Sequence, residues 1–349
     1  MKSLMPLLSV ARTALRPRRT LVILLSILLV VLVFSFSRIV AFAHLFGLFG
    51  AHAGTRISQL EIALEHNSTT PDPRTPVMPK ILHQIFHNWK DPQDKTLPAH
   101  WEAARETCLN ANPDWDIKLW GIEDSRTFIE DEYPWFLETY DSYKFPIQRI
   151  DVLRYFLLRH YGGIYLDLDN GCAESLDPLT YYPAFTTDGD RGTLSNNIMG
   201  GQPDHPYWHL LSESLIPYKW NYILPYVIIS YQSGQWYVTA IWEKYHSLLS
   251  KDGTVAGFEG SDYEPLHRVL MDGRPNTDPW VFFTQTTGGT WTNWDSNLFS
   301  WIGENIILII LGVAVTVGLV GWGCTACIRR RRNRGYQEIP RSEMGEVSP

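Results

Sequence analysis

An α/β domain with a mainly parallel sheet, flanked by two transmembrane helices, is the fold class this sequence predicts. Three observations lead there. Along the middle of the chain, short apolar runs bounded by turn residues alternate with amphipathic helical segments, the pattern of strands joined by crossover helices. One of those helices, "KFPIQRIDVLRYFLLRHYGG", stops at Gly162-Gly163 and delivers the chain directly into "IYLDLD". Two uncharged runs, each next to a cluster of arginines, bracket the alternation.

Residues 1–19 are a basic start with Arg12, Arg16, Arg18 and Arg19, and residues 20–37 read "TLVILLSILLVVLVFSFS". That apolar core is long for a signal peptide and no small-residue cleavage site comes after it, so an uncleaved anchor is expected. Residues 38–78 read as a stem, since Gly54 to Met78 is polar and rich in Pro and Thr. Asn67-Ser68-Thr69 is a glycosylation sequon within it. The main domain is expected over 79–304. It opens with "KILHQIFHNW" after Pro79, as a first buried strand would, and "ANPDWDIKLWG" supplies turn signals and then a strand over Ile117 to Trp120. In the next helix, Pro146 suits the first turn and apolar residues recur at 147, 150, 153 and 157. Residues 305–328, "NIILIILGVAVTVGLVGWGCTACI", form the second span, and a basic tail over 329–349 begins with four consecutive arginines, Arg329 to Arg332. The positive-inside rule places both arginine clusters, and so both termini, in the cytosol and the main domain in a lumen.

Divided in this way, the chain has a strongly acidic centre. Between residues 44 and 305 lie 18 of the 30 Lys and Arg and 34 of the 37 Asp and Glu, a net charge of −16. Nucleic-acid binding, which rests on neutralising phosphates with Lys and Arg, is therefore not expected. An anionic substrate would need a local cation. Asp167 and Asp169, two residues apart at the end of an apolar strand, would share one face and crowd each other. A polar strand end before a turn at Asn170-Gly171 is the plain reading; a hard divalent cation shared with substrate phosphates is the sharper one. Earlier, on the helix, Asp151 and Arg154 are spaced i, i+3, for which a surface ion pair is the plain reading. Four cysteines are too few for a disulfide scaffold, and the sequence leaves open whether Cys108 and Cys172 pair.

Taken together and in order, "PKILHQIFHNW", "NPDWDIKLW", "PIQRIDVLRYFLLRHYGGIYLDLDNGC" and "SNNIMGGQPDHPYW" resemble glycosyltransferase family 32, and within it the fungal mannosyl-inositol-phosphorylceramide synthase catalytic subunits. The resemblance runs from about residue 79 to residue 246. It implies a GT-A-type nucleotide-sugar-binding fold, transfer with retention at the sugar carbon, and Mn²⁺ or Mg²⁺ as cofactor. Asp167 and Asp169 match the family's D-x-D, with Asp169 as direct metal ligand and Asp167 reaching the ribose or a metal-bound water. Asp151 and Arg154 match the acid and base that contact the donor sugar and its phosphates. His83, Gln84 and Phe86 fall on the first strand, where related transferases stack an aromatic ring on the base; for Phe86 a core role and a base-stacking role both stand. Asn196 and Asn197 match a segment near the acceptor.

The implied activity is transfer of mannose from GDP-mannose to inositol phosphorylceramide in the Golgi, with a membrane regulatory subunit as a partner. Initiating α-1,6-mannosyl transfer to N-glycans is one alternative; a degenerate homologue that binds or escorts an active synthase is another. Two segments depart from the family pattern. Where Ser-Thr-Gly-Pro is common, Ser233 to Trp236 reads "SGQW", and in place of a histidine before a Gly-Ser-Trp-like motif the chain has "TQTTGGTW", offering Thr290 as third metal contact.

Overall fold

The computed structural model describes residues 22–33, 46–50, 52–66, 74–189, 192–219, 224–260, 262–288 and 294–337, so the expectations for Asn67 and Thr290 fall outside the described residues. Two compact units are present: Met1–Asn221 with Ile228–Gly288, and Tyr222–Val227 with Gly289–Pro349.

In chain order the helices are α1 (Val22–Val33), α2 (Gln59–Glu65), α3 (Ala99–Ala111), α4 (Ile122–Glu132), α5 (Pro134–Asp141), α6 (Pro146–Tyr161), α7 (Pro206–Glu213), α8 (Leu215–Tyr218), α9 (Pro225–Gln232), α10 (Gln235–Leu248), α11 (Trp294–Glu304) and α12 (Ile306–Gln337). The strands are β1 (Thr55–Ile57), β2 (Ile81–Ile85), β3 (Asp116–Trp120), β4 (Gly163–Leu166), β5 (Asn170–Cys172), β6 (Ala184–Asp188), β7 (Ser195–Gly201), β8 (His267–Leu270) and β9 (Phe283–Gln285). Seven of them form one sheet in the order β1-β8-β6-β7-β4-β2-β3, parallel throughout except for β7, which runs antiparallel to both neighbours. The mainly parallel α/β expectation therefore holds. A separate ribbon pairs β5 with β9.

The sheet is covered on both faces, as parallel sheets require. Tyr165 of β4 joins the core on one side with Phe156 and Leu157 of α6, while Ile164 and Leu166 join Leu82, Cys108 and Cys172 on the other. The Gly162-Gly163 turn between α6 and β4 has φ of +65° and +86°. At Gly163 a Cβ would lie 2.3 Å from the Ile81 carbonyl, so only glycine lets β4 start beside β2.

Residues 55–65, expected within a stem, are folded instead. Thr55–Ile57 adds to β8 as an edge strand, and Ser58 caps α2 with its hydroxyl accepting from Glu61 N (3.1 Å) while the Glu61 carboxylate accepts from Ser58 N (2.7 Å). This Ser-x-x-Glu box is a local signal that polar composition obscured. Cys108 on α3 and Cys172 on β5 form a disulfide.

In the second unit α12 carries Ile307–Arg330, with mean hydropathy 2.4, long and apolar enough to cross a membrane. Among the described residues it is the one such helix; α1, the described part of the first apolar run, is shorter. The expectation of two transmembrane helices is therefore met at one place among the described residues; residues 20, 21 and 34–37 of the first expected span lie outside them.

Candidate active site

Parallel strands bring their carboxyl ends to one edge of the sheet, where open α/β folds place ligands. The acids lie there, after β4. Arg154 organises them. It is only 2% exposed and Asp151 5%, so the surface ion pair expected from spacing is instead a buried one. Nη2 lies 3.1 Å from Asp151 Oδ1 and Nη1 lies 3.3 Å from Asp167 Oδ1. Nη1 also donates to the Asn196 carbonyl at 2.5 Å, and the guanidinium sits 4.4 Å from the centre of the Tyr165 ring. A buried guanidinium is tolerable because two carboxylates and an aromatic face surround it.

Asp151 is held at both oxygens. Asn196 Nδ2 donates to Oδ1 (3.0 Å) and Ser233 Oγ to Oδ2 (2.9 Å). Tyr155, one turn beyond Asp151, accepts from the same Asn196 amide (3.1 Å) and donates to the Ser233 carbonyl (2.5 Å). Burial pushes the Asp151 carboxyl up to about 6, against the opposing pull of Arg154 and Ser233.

The two acids meet by a route that strand alternation did not foresee. β4 ends at Leu166, and Asp167 to Asp169 make a turn closed by Asn170 N donating to the Asp167 carbonyl (2.9 Å). Leu168 is buried between two half-buried carboxylates. Asp167 is fixed through Oδ1, which accepts from the Tyr165 hydroxyl as well as facing Arg154. Asp169 Oδ1 accepts from Asn170 Nδ2 (2.8 Å). Burial first, and then the nearby Asp167 charge, push the Asp169 carboxyl up to about 6. Against its Oδ2 lies Gly288, where a Cβ would approach to 1.7 Å.

These residues fit a hard cation. Arg154 compensates Asp167, but Asp169 carries repulsion that a divalent ion would relieve, and the glycine keeps its oxygen uncovered. Among the described residues no group of three or more His, Cys, Asp or Glu is gathered, so such an ion would rest on few protein ligands. That is the habit of Mg²⁺ and Mn²⁺ bound with substrate phosphates.

The remaining expected residues divide. Asn196 belongs to the Asp151 network. Asn197 takes a different role: its Oδ1 accepts from Ser195 Oγ (2.6 Å) and Thr187 Oγ1 (3.0 Å), and its carbonyl accepts from Asp167 N (2.9 Å). Phe86 is half-buried just past β2, edge-on to Trp101 with ring centres 6.2 Å apart. Gln84 is fully buried, and its amide atoms make no hydrogen bond. His83 is fully buried: Nδ1 accepts from Trp120 Nε1 (3.2 Å) and Nε2 donates to the Gly162 carbonyl (3.0 Å). Burial pulls its pKa down to about 4, so it is a neutral packing residue. Tyr155, Tyr165, Ser233 and Gly288 were not expected beside the acids. Tyr155 had a signal, its i+4 spacing from Asp151; Ser233 and Gly288 lie in the two segments that depart from the family pattern, but nothing local in the sequence ties them to Asp151 or Asp169.

Residues 98–186 match the model of the glycosyltransferase sugar-binding region containing DXD motif. Inositol phosphoceramide mannosyltransferase 2 of Schizosaccharomyces pombe is 38% identical over 68% of this chain and 64% of its own length. Mannosyl phosphorylinositol ceramide synthase SUR1 of Saccharomyces cerevisiae is 33% identical over 78% of this chain and 68% of its own. The chain thus spans about two-thirds of the length of these curated relatives. Among solved structures, PaToxG Glycosyltransferase is similar at 16% identity over 51% of this chain and 72% of that one, with a TM-score of 0.37. With Asp167 and Asp169 inside the matched stretch and a relative 33% identical over 68% of its own length, this chain belongs to the DXD-containing glycosyltransferase family.

Proposed function

We propose that this chain is a retaining, metal-dependent mannosyltransferase of GT-A type, moving mannose from GDP-mannose to inositol phosphorylceramide in the Golgi lumen. The observation that carries the proposal is the buried Asp151–Arg154–Asp167 cluster with Asp169 beside it, in a chain whose relatives bear mannosyltransferase names. In this reading Asp169 would hold Mn²⁺ or Mg²⁺, and Asp167, already fixed by Arg154 and Tyr165, would reach toward the ribose or the ion's water shell. The bound ion would neutralise charge that develops on the diphosphate leaving group.

The protein's own task is positioning. Arg154 acts on the donor through Asp151 and Asp167, which its guanidinium holds in place, and Asp151, pinned by Ser233 and Asn196, receives sugar hydroxyls without having to reorient. Phe86, leaning on Trp101 at the end of β2, supplies the ring for the base, and the unpaired Gln84 amide lies on the same strand. The acceptor hydroxyl then attacks from the face the leaving group vacates, as retention requires. The acceptor, a lipid, is consistent with a chain that carries a membrane-length helix. A membrane regulatory subunit joins the enzyme in this reading.

Donor screening of the purified protein with Mn²⁺, followed by mass analysis of modified sphingolipids, tests the proposal. Mannosylated inositol phosphorylceramide formed only from GDP-mannose is the expected product. Transfer of a different sugar, transfer to an N-glycan acceptor instead, or no turnover with any donor would overturn it.

A further inference from the structure

Helix α11 has an exposed face that the active site does not explain. Trp294, Leu298 and Trp301 are 68%, 42% and 55% exposed, and they succeed one another at i, i+4 and i+7. At about 100° per residue their side chains fall within a sector of about 60°. Exposed Asn297, Ser300 and Glu304 occupy the adjoining sector, so the outward surface is split into an apolar strip and a polar one. The inward side is already engaged. Asp295 is fully buried and accepts from Tyr226 N (2.7 Å), and Phe299 stacks on the Tyr226 ring at 4.9 Å.

The neighbouring helix α12 indicates what covers the strip. A single residue, Asn305, separates α11 from α12. Its N–H donates to the Trp301 carbonyl (3.0 Å) and its own carbonyl accepts from Ile309 N (3.0 Å), so the two helices meet without slack. The membrane-length stretch begins at Ile307, six residues after Trp301. At ~1.5–3.5 Å per residue the strip therefore starts within roughly 10–20 Å of the apolar span. Tryptophan combines an apolar ring with an N–H and concentrates at the boundary between headgroups and acyl chains. A helix with separate apolar and polar outward sectors is built to lie in that boundary.

We propose that α11 is an interfacial helix, lying in the surface of the bilayer that α12 crosses, on the side away from Arg329 to Arg332, with Trp294, Leu298 and Trp301 inserted among the lipids. This rests on α12 being a crossing helix. The test uses the full-length protein in phosphatidylcholine nanodiscs, with the photo-crosslinking residue benzoylphenylalanine placed in turn at Leu298, at Ser300 in the polar sector, and at Val315 midway along α12, which is 61% exposed. Mass analysis of the adducts reads the result. Phospholipid adducts at positions 298 and 315, several-fold above position 300, support the proposal. Lipid adducts at 315 but equal yields at 298 and 300, or protein–protein adducts at 298, overturn the interfacial helix alone. No lipid adduct at 315 overturns the crossing helix and this inference with it. Each probe replaces a side chain on the outward surface, and retained thermal unfolding confirms that the variants fold.

Discussion

Arg154 is placed so that stability and chemistry depend on the same side chain. An exposed pair would have allowed Arg154→Ala a negligible stability effect; the buried one does not. Removing the guanidinium leaves Asp151 unpaired, which should cost about 3–5 kcal/mol in denaturant unfolding. Activity should fall by roughly 10²-fold or more through loss of a preorganised charge, in both kcat and kcat/KM at saturating donor. Full activity in this variant would remove Arg154 from the site. Asp169→Ala should behave differently, because that carboxylate is half-buried with one side-chain partner. Transfer should be abolished while the melting temperature barely moves, and unchanged turnover would end the metal reading. Gly288→Ala should phenocopy it, since the new methyl group meets Asp169 Oδ2. The raised acids also set a pH dependence. With Asp151 and Asp169 both near 6 when folded, above the ordinary carboxylate value, the stability their protonated forms contribute is present below about pH 4 and lost as pH rises through 6. A cation binds only the ionised form, so the rise in melting temperature on adding Mn²⁺ should be larger at about pH 7 than at about pH 5. A shift that is equal at both, or absent, would contradict this.

At the level of elements, the turn after β4 is braced from several directions. β5 starts at Asn170, one residue past Asp169, and is tied by Cys172 to Cys108 of α3. Its partner β9 leads into Thr286, whose N–H donates to the Asp169 carbonyl (2.7 Å). The disulfide closes a separation of 64 residues, for which loop-closure entropy predicts about 4 kcal/mol of stabilisation. Replacing both cysteines with serine should lower unfolding free energy by that order in a denaturant titration, and should raise the KM for donor as the turn loosens. A variant as stable as the parent would show that hydrogen bonds alone hold β5 in place.

For the molecule as a whole, the two arginine clusters and the acidic stretch between them lead to a topological prediction. Tags at both termini should be removed by protease added to sealed microsomes, while residues 79–304 stay protected. A protected C-terminal tag would rule out the proposed orientation.

The sequence by itself determined the mainly parallel α/β class, the start and stop of α6 and the direct passage from α6 into the strand that leads to the D-x-D. These are written in local signals: Pro146, the apolar period, and two glycines in backbone conformations that other residues resist. It also placed Asp151, Arg154, Asp167 and Asp169, since they are close along the chain. Only the tertiary structure decided what surrounds them. Ser233 reaches Asp151 across 82 residues and Asn196 across 45, and no periodicity links positions so far apart. Burial is likewise a property of the packed whole: it turned a surface ion pair into a buried one, withdrew His83 into the core, and folded residues 55–65 into the sheet through an edge strand too short to leave a pattern.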